Sequence, residues 1–117
     1  MRRVLKVAGV VMVLVAAGQA QAGWRDDMQT AGFNAETGNK EALRALDLLR
    51  AGKKSEGCLL VRQAQQKLRF ATETVARIYK EQKGQASDRD VEQIRQAGEM
   101  TVKSWRAAEQ VEAKHCK

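Results

Sequence analysis

Apolar and small residues recur through the middle of the chain at Val61, Ala64, Leu68, Ala71, Val75 and Ile78, at alternating intervals of three and four. Two such intervals make one seven-residue repeat, so the row stays on one face of an α-helix and forms a coiled-coil-like seam. The pattern predicts a helix from about Gly57 to Lys83. Along the same segment Arg69, Glu73, Arg77 and Glu81 stand four apart with alternating sign, which places pairable charges on one solvated stripe.

A second seam follows at Val91, Ile94, Gly98, Thr101, Trp105, Ala108 and Glu112. Ser87 precedes it as a natural N-cap, with Asp90 three residues on in the pattern of a capping box, so a helix is predicted from about 87 to 116. Only Gly84-Gln85-Ala86 separates the two seams, and long helices joined by so short a loop lie antiparallel.

The pattern before residue 57 is weaker. In NKEALRALDLLRAG, Asn39 is placed to cap a helix, Glu41 suits its first turn, Ala42, Leu43, Leu46 and Leu49 share a face, and Gly52 ends it. In GWRDDMQTAGFNAETG, Trp24, Met28 and Phe33 fall at roughly helical spacing and suggest another short helix. Gly38, Gly52, Gly57 and Gly84 read as breaks between helical segments. Gly98 lies inside a seam, where glycine costs about 1 kcal/mol relative to alanine, so close packing or a local bend is expected there. Proline is absent and no alternating strand pattern appears. The expected fold is all-α: a long antiparallel hairpin of helices, about 57–83 and 87–116, with one or two short N-terminal helices beside it in a small bundle.

The first 22 residues differ in kind. Arg2, Arg3 and Lys6 precede an apolar run from Val7 to Ala17, and Ala20-Gln21-Ala22 closes the segment. That is the order of a secretory signal peptide cleaved near Ala22, and the apolar run is shorter than the roughly 20 residues a membrane span needs. The expected mature protein is one helical domain, residues 23–117, periplasmic or secreted, with no stable transmembrane segment. Cleavage also changes the charge. The whole chain carries +7, but three basic residues leave with the leader, and 18 minus 14 gives +4 for the remainder. A modest, mixed charge in an exported protein argues against nucleic acid as a partner.

Export gives the two cysteines a meaning, because oxidising compartments favour disulfides in small domains. In a hairpin centred near residue 86, Ile78 falls level with Ile94, Leu68 with Trp105, and Cys58 with Cys116. The levels are good to about 5 Å, at a rise of about 1.5 Å per residue. Cys58 and Cys116 are therefore expected to form a disulfide at the open end of the hairpin.

Candidate chemistry is sparse. His115 is the only histidine, there is no Cys-x-x-Cys, and no glycine-rich phosphate loop occurs. Asp26-Asp27 point to different faces of a helix, and Asp88 and Asp90 suit a helix start. With Cys116 in a disulfide, His115 alone supplies too few ligands for zinc. Met28 and His115 resemble the Met and His axial ligands of exported b-type four-helix cytochromes, a resemblance of two residues and a compartment that implies haem. Against it stand the short first helices and an aromatic content of 4%, too low to line a macrocycle well.

No catalytic residues and no cofactor are expected. Elimination leaves a small exported non-catalytic protein acting by protein–protein binding in the cell envelope, as an inhibitor, immunity-type protein, adaptor or chaperone-like factor. One alternative is a haem or metal carrier using Met28 and His115. The other is a basic envelope-surface binder, in which Lys53, Lys54, Lys114 and Lys117 form a docking patch for anionic lipid or cell-wall polymer.

Overall fold

Three long helices account for nearly all of residues 23–117, the residues that the computed structural model describes: α1 (Gly23–Arg50), α2 (Lys54–Gln82) and α3 (Asp88–Cys116). The leader expected over residues 1–22 lies outside the described residues. No strand occurs among those described, and none of the helices is long and apolar enough to cross a membrane. The particle measures 49 × 21 × 20 Å, the proportions of a bundle about one helix long.

The seam on α2 is the centre of the core. Val61, Ala64, Leu68, Ala71, Val75 and Ile78 are all fully buried, and they pack with Ile94, Ala97, Ala108 and Val111 of α3. Pairing between these helices runs in opposite directions along the chain: Cys58 meets Cys116, Arg62 meets Glu112, and Val75 lies against Gly98. The turn between them uses Gly84 at φ 92°, a left-handed conformation natural to glycine. Ser87 then caps α3, its side chain accepting from the Asp90 amide at 3.1 Å.

The N-terminal third departs from expectation. Instead of one or two short helices, residues 23–50 form one continuous helix of 28 residues. Gly38 does not break it, and Asn39 is no cap: both are buried in mid-helix. The reason lies in a third heptad row, Met28, Ala31, Ala35, Gly38, Ala42, Ala45 and Leu49, which keeps its phase through the glycine. Most of its members are small and give little hydrophobic signal, yet all but half-buried Leu49 are buried. Phe33, grouped with Trp24 and Met28 by spacing, falls off this row and is 62% exposed.

Gly57 is likewise not a break, because α2 begins three residues earlier, at Lys54. Both glycines let α1 and α2 approach closely. A Cβ on Gly38 would sit 2.9 Å from Leu68 Cγ and 3.2 Å from the Ala64 carbonyl oxygen; one on Gly57 would sit 2.6 Å from Leu49 Cγ and 3.1 Å from the Ala45 oxygen. Contacts this tight leave no room for a methyl group. At Gly98, by contrast, the nearest atom would be Val75 Cγ1 at 3.4 Å, an ordinary contact.

Gly52 does end a helix. At φ 82° it allows Lys53 N–H to reach the Leu48 carbonyl at 2.9 Å and its own N–H to reach Leu49 at 3.1 Å, the two bonds of a Schellman motif. The chain then turns back, so α1 runs antiparallel to α2 and parallel to α3. Arg77–Asp27 at 3.1 Å and Lys67–Glu41 join α1 to α2, while Arg25–Asp90 at 3.1 Å joins α1 to the start of α3.

Candidate functional site

The expected disulfide is present. Cys58 and Cys116 are bonded, with Cα atoms 5.8 Å apart. The bond ties the start of α2 to the end of α3, and this gathers Lys53, Lys54, Lys114 and Lys117 at one end of the bundle, all exposed. Among the described residues, no carboxylate comes within 4 Å of any of the four amino groups. His115 stands half-buried among them.

Met28 and His115 are not brought together. Met28 is fully buried in the core, one turn from Arg25, which contacts Asp90 at the start of α3. Because α1 and α3 run parallel, His115 at the far end of α3 lies about 30 Å away along the axis, at about 1.5 Å per residue. One haem iron cannot take both as ligands. Among the described residues, no group of three or more His, Cys, Asp or Glu side chains is placed to hold a metal ion. Three buried hydroxyls of the helix interiors have structural partners: Thr72 donates to the Leu68 carbonyl at 2.8 Å, Thr101 to Gly98 at 2.9 Å and Ser104 to Met100 at 3.1 Å.

A concave surface lies elsewhere. α2 and α3 enclose an open groove of about 480 Å³, to which α1 contributes no residue. Its floor is Thr72, Val75, Ala76 and Tyr79 from α2 with Gly98 and Val102 from α3, and Arg95, Glu99, Lys103 and Arg106 form its rim. The absence of a side chain at Gly98 deepens the floor opposite Val75. Nearer the disulfide along the same two helices lies a second, more polar hollow of about 330 Å³, lined by Arg62, Gln65, Gln66, Arg69, Trp105 and Glu109. Trp105, expected level with Leu68, is half-buried against the core and lines this hollow.

The rim cations differ in how they are engaged. Arg95 is held on α3 by Glu92 at 2.6 Å and Glu99 at 2.7 Å. Arg62 binds Glu112 at 2.9 Å, and Arg69 stands 4.0 Å from Glu73. Lys103 and Arg106 have no carboxylate within 4 Å among the described residues.

Compared with protein-family models, curated proteins and solved structures, the chain matches none. The groove and hollow combine an apolar floor, aromatic Tyr79 and Trp105, and a cationic rim.

The groove is not legible in the buried seams, because it lies beside them. A signal was present: Thr72, Ala76 and Tyr79 form a second stripe beside the α2 seam at intervals of four and three, and on α3 Val102 stands four residues beyond Gly98 of the seam. Such a stripe widens the apolar face beyond what one partner helix covers.

Glu112 fixes one wall of the polar hollow across the helix pair. Hydrogen bonds from Gln65 at 2.8 Å and Arg62 at 2.9 Å hold its carboxyl below the ordinary glutamate value. A carboxyl with a lowered folded-state pKa stabilises the fold above its unfolded value, about 4.3, and that contribution is lost as pH falls through the folded value. The Glu112→Gln variant is therefore expected to be less stable than wild type at neutral pH, with the difference vanishing in acid. Urea midpoints between about pH 3 and 6 measure this; a gap independent of pH would sink the assignment.

Proposed function

We propose that this is a non-catalytic exported protein that acts by binding a partner protein in the cell envelope, through the groove between α2 and α3. The observation that carries the reading is the groove itself: an apolar floor open along its length, flanked by half-buried tyrosine and tryptophan, residue types that anchor protein interfaces. Rigid helices tied by a disulfide support it, because a preorganised face loses little conformational freedom on binding. Export rests on the leader pattern of residues 1–22 and agrees with the disulfide.

The test is site-specific photocrosslinking in intact cells. A photoreactive residue at Ala76 or at Val102 is expected to capture one discrete envelope protein, while the same residue at exposed Lys40 of α1 captures none. The reading falls if the groove positions give no adduct, or give the same adducts as Lys40.

A second reading is favoured by the four exposed lysines at the disulfide end, which suit an anionic lipid surface or cell-wall polymer. It requires salt-sensitive sedimentation with anionic vesicles or wall polymer, weakened by Lys53→Glu with Lys54→Glu.

A further inference from the structure

We infer that the occupant of the α2–α3 groove is an acidic amphipathic helix of the partner, laid along the groove as a fourth helix; this rests on the binding role proposed above and names the chemistry of the partner. Three observations select that occupant. The first is shape. Both hollows are open and lie along the same helix pair, and the levels of α2 that line the two together, from Arg62 to Tyr79, span about 26 Å at about 1.5 Å per residue. A small ligand needs most of its surface enclosed, which an open trough does not provide. A helix has a single apolar stripe to bury and fits between two antiparallel helices by ridges and grooves.

The second is the arrangement of apolar contacts. Val75, Tyr79 and Val102 line one stretch of the trough and Trp105 the next, in place to receive residues on one face of an incoming helix. α1 packs mainly on α2 and contributes nothing to this lining, so the trough is a face of the α2–α3 pair that no helix among the described residues covers.

The third is charge. Five cations and two acids line the two hollows together. Three of the cations are engaged by glutamates on α2 or α3, which leaves Lys103 and Arg106 on the rim to meet carboxylates of the incoming helix. Rim charges of this kind choose between partners and set their salt dependence.

The experiment titrates the oxidised mature protein, labelled for amide NMR, with two designed helical peptides of about 18 residues, roughly the length of the trough. Both carry the same leucine stripe; one has glutamates on its flanks and the other lysines. The acidic peptide is expected to shift the amides of Val75, Tyr79 and Val102, and to bind about tenfold more tightly than the basic one at low salt, as a few exposed ion pairs imply. Lys103→Glu with Arg106→Glu, both surface changes, is expected to reverse that preference. An acidic peptide broken by a central proline is expected to bind weakly. Equal shifts from both intact peptides would leave a protein-binding groove and overturn its acidic-helix specificity, whereas groove amides unmoved by either peptide would overturn both readings. The helix assignment is also overturned if anionic phosphatidylglycerol vesicles move the same amides and the peptides do not, which assigns the groove to lipid. It is equally overturned if concentrating the protein alone moves them, which assigns it to a second copy of the chain.

Discussion

Replacing Cys58 and Cys116 together by serine is expected to lower the stability of the helical domain by about 4 kcal/mol. The bond joins positions 58 residues apart, and the chain-entropy model gives about that value for a loop of roughly 60 residues. Domains of this size have total stabilities of about 5–15 kcal/mol, so the change removes a large share. At about 4–8 °C per kcal/mol, the melting temperature is expected to fall by roughly 15–30 °C. The structure adds a local consequence. The α2–α3 turn already closes the other end of that helix pair, whereas at this end the disulfide is the covalent link between the two helices. Without the bond, the last turns of α3 should open at a lower free energy than the rest of the helix. Thermal melts of the oxidised, reduced and doubly substituted proteins, with amide exchange at residues 108–116, measure both effects. A fall of less than about 1 kcal/mol would mean that the reduced chain keeps the two ends together by packing alone, and the bond would lose its role as anchor of the lysine-rich end.

How much of this was legible in the sequence depends on the size of the residues at the seams. The α2 row alternates valine, leucine and isoleucine with alanine, so its period was plain, and all six of its members are fully buried. The level of the cysteines followed from that period and the short loop. The α1 row has the same period but is built mainly of alanine and glycine. Glycine ordinarily punctuates helices, and at Gly52 and Gly84, both with positive φ, it does so here. At Gly38 and Gly57 it serves close approach, a property of the facing helix that local sequence does not contain. The lysine-rich end could be foreseen because it depends only on which helix ends meet. The groove could not, because it depends on which stripe of each helix is left uncovered once α1 has docked.

That account of Gly38 makes a quantitative demand on its pairing with Leu68. Leu68 is fully buried, and Leu68→Ala is expected to cost about 3 kcal/mol through lost burial and the cavity left behind. Gly38→Ala brings opposing effects: alanine favours helix by about 1 kcal/mol, while overpacking costs about 1–3 kcal/mol. The new Cβ would lie 2.9 Å from Leu68 Cγ and 3.3 Å from Leu68 Cδ2, so the clash wins and a net loss of about 1 kcal/mol is expected. Once Leu68 is alanine, both of those contacts are gone and only the Ala64 carbonyl oxygen at 3.2 Å remains tight. In that background Gly38→Ala should be neutral or stabilising, giving a coupling of about 1–2 kcal/mol between the two positions. Gly98→Ala is the control, since its Cβ would meet only Val75 Cγ1 at 3.4 Å, and it should raise stability by up to about 1 kcal/mol. Urea unfolding of the two single variants, the double variant and the control decides the matter. If the Gly38 and Leu68 changes add within about 0.5 kcal/mol, the spacing of α1 and α2 is set by backbone approach at Ala64, and Leu68 is not what requires a glycine opposite it.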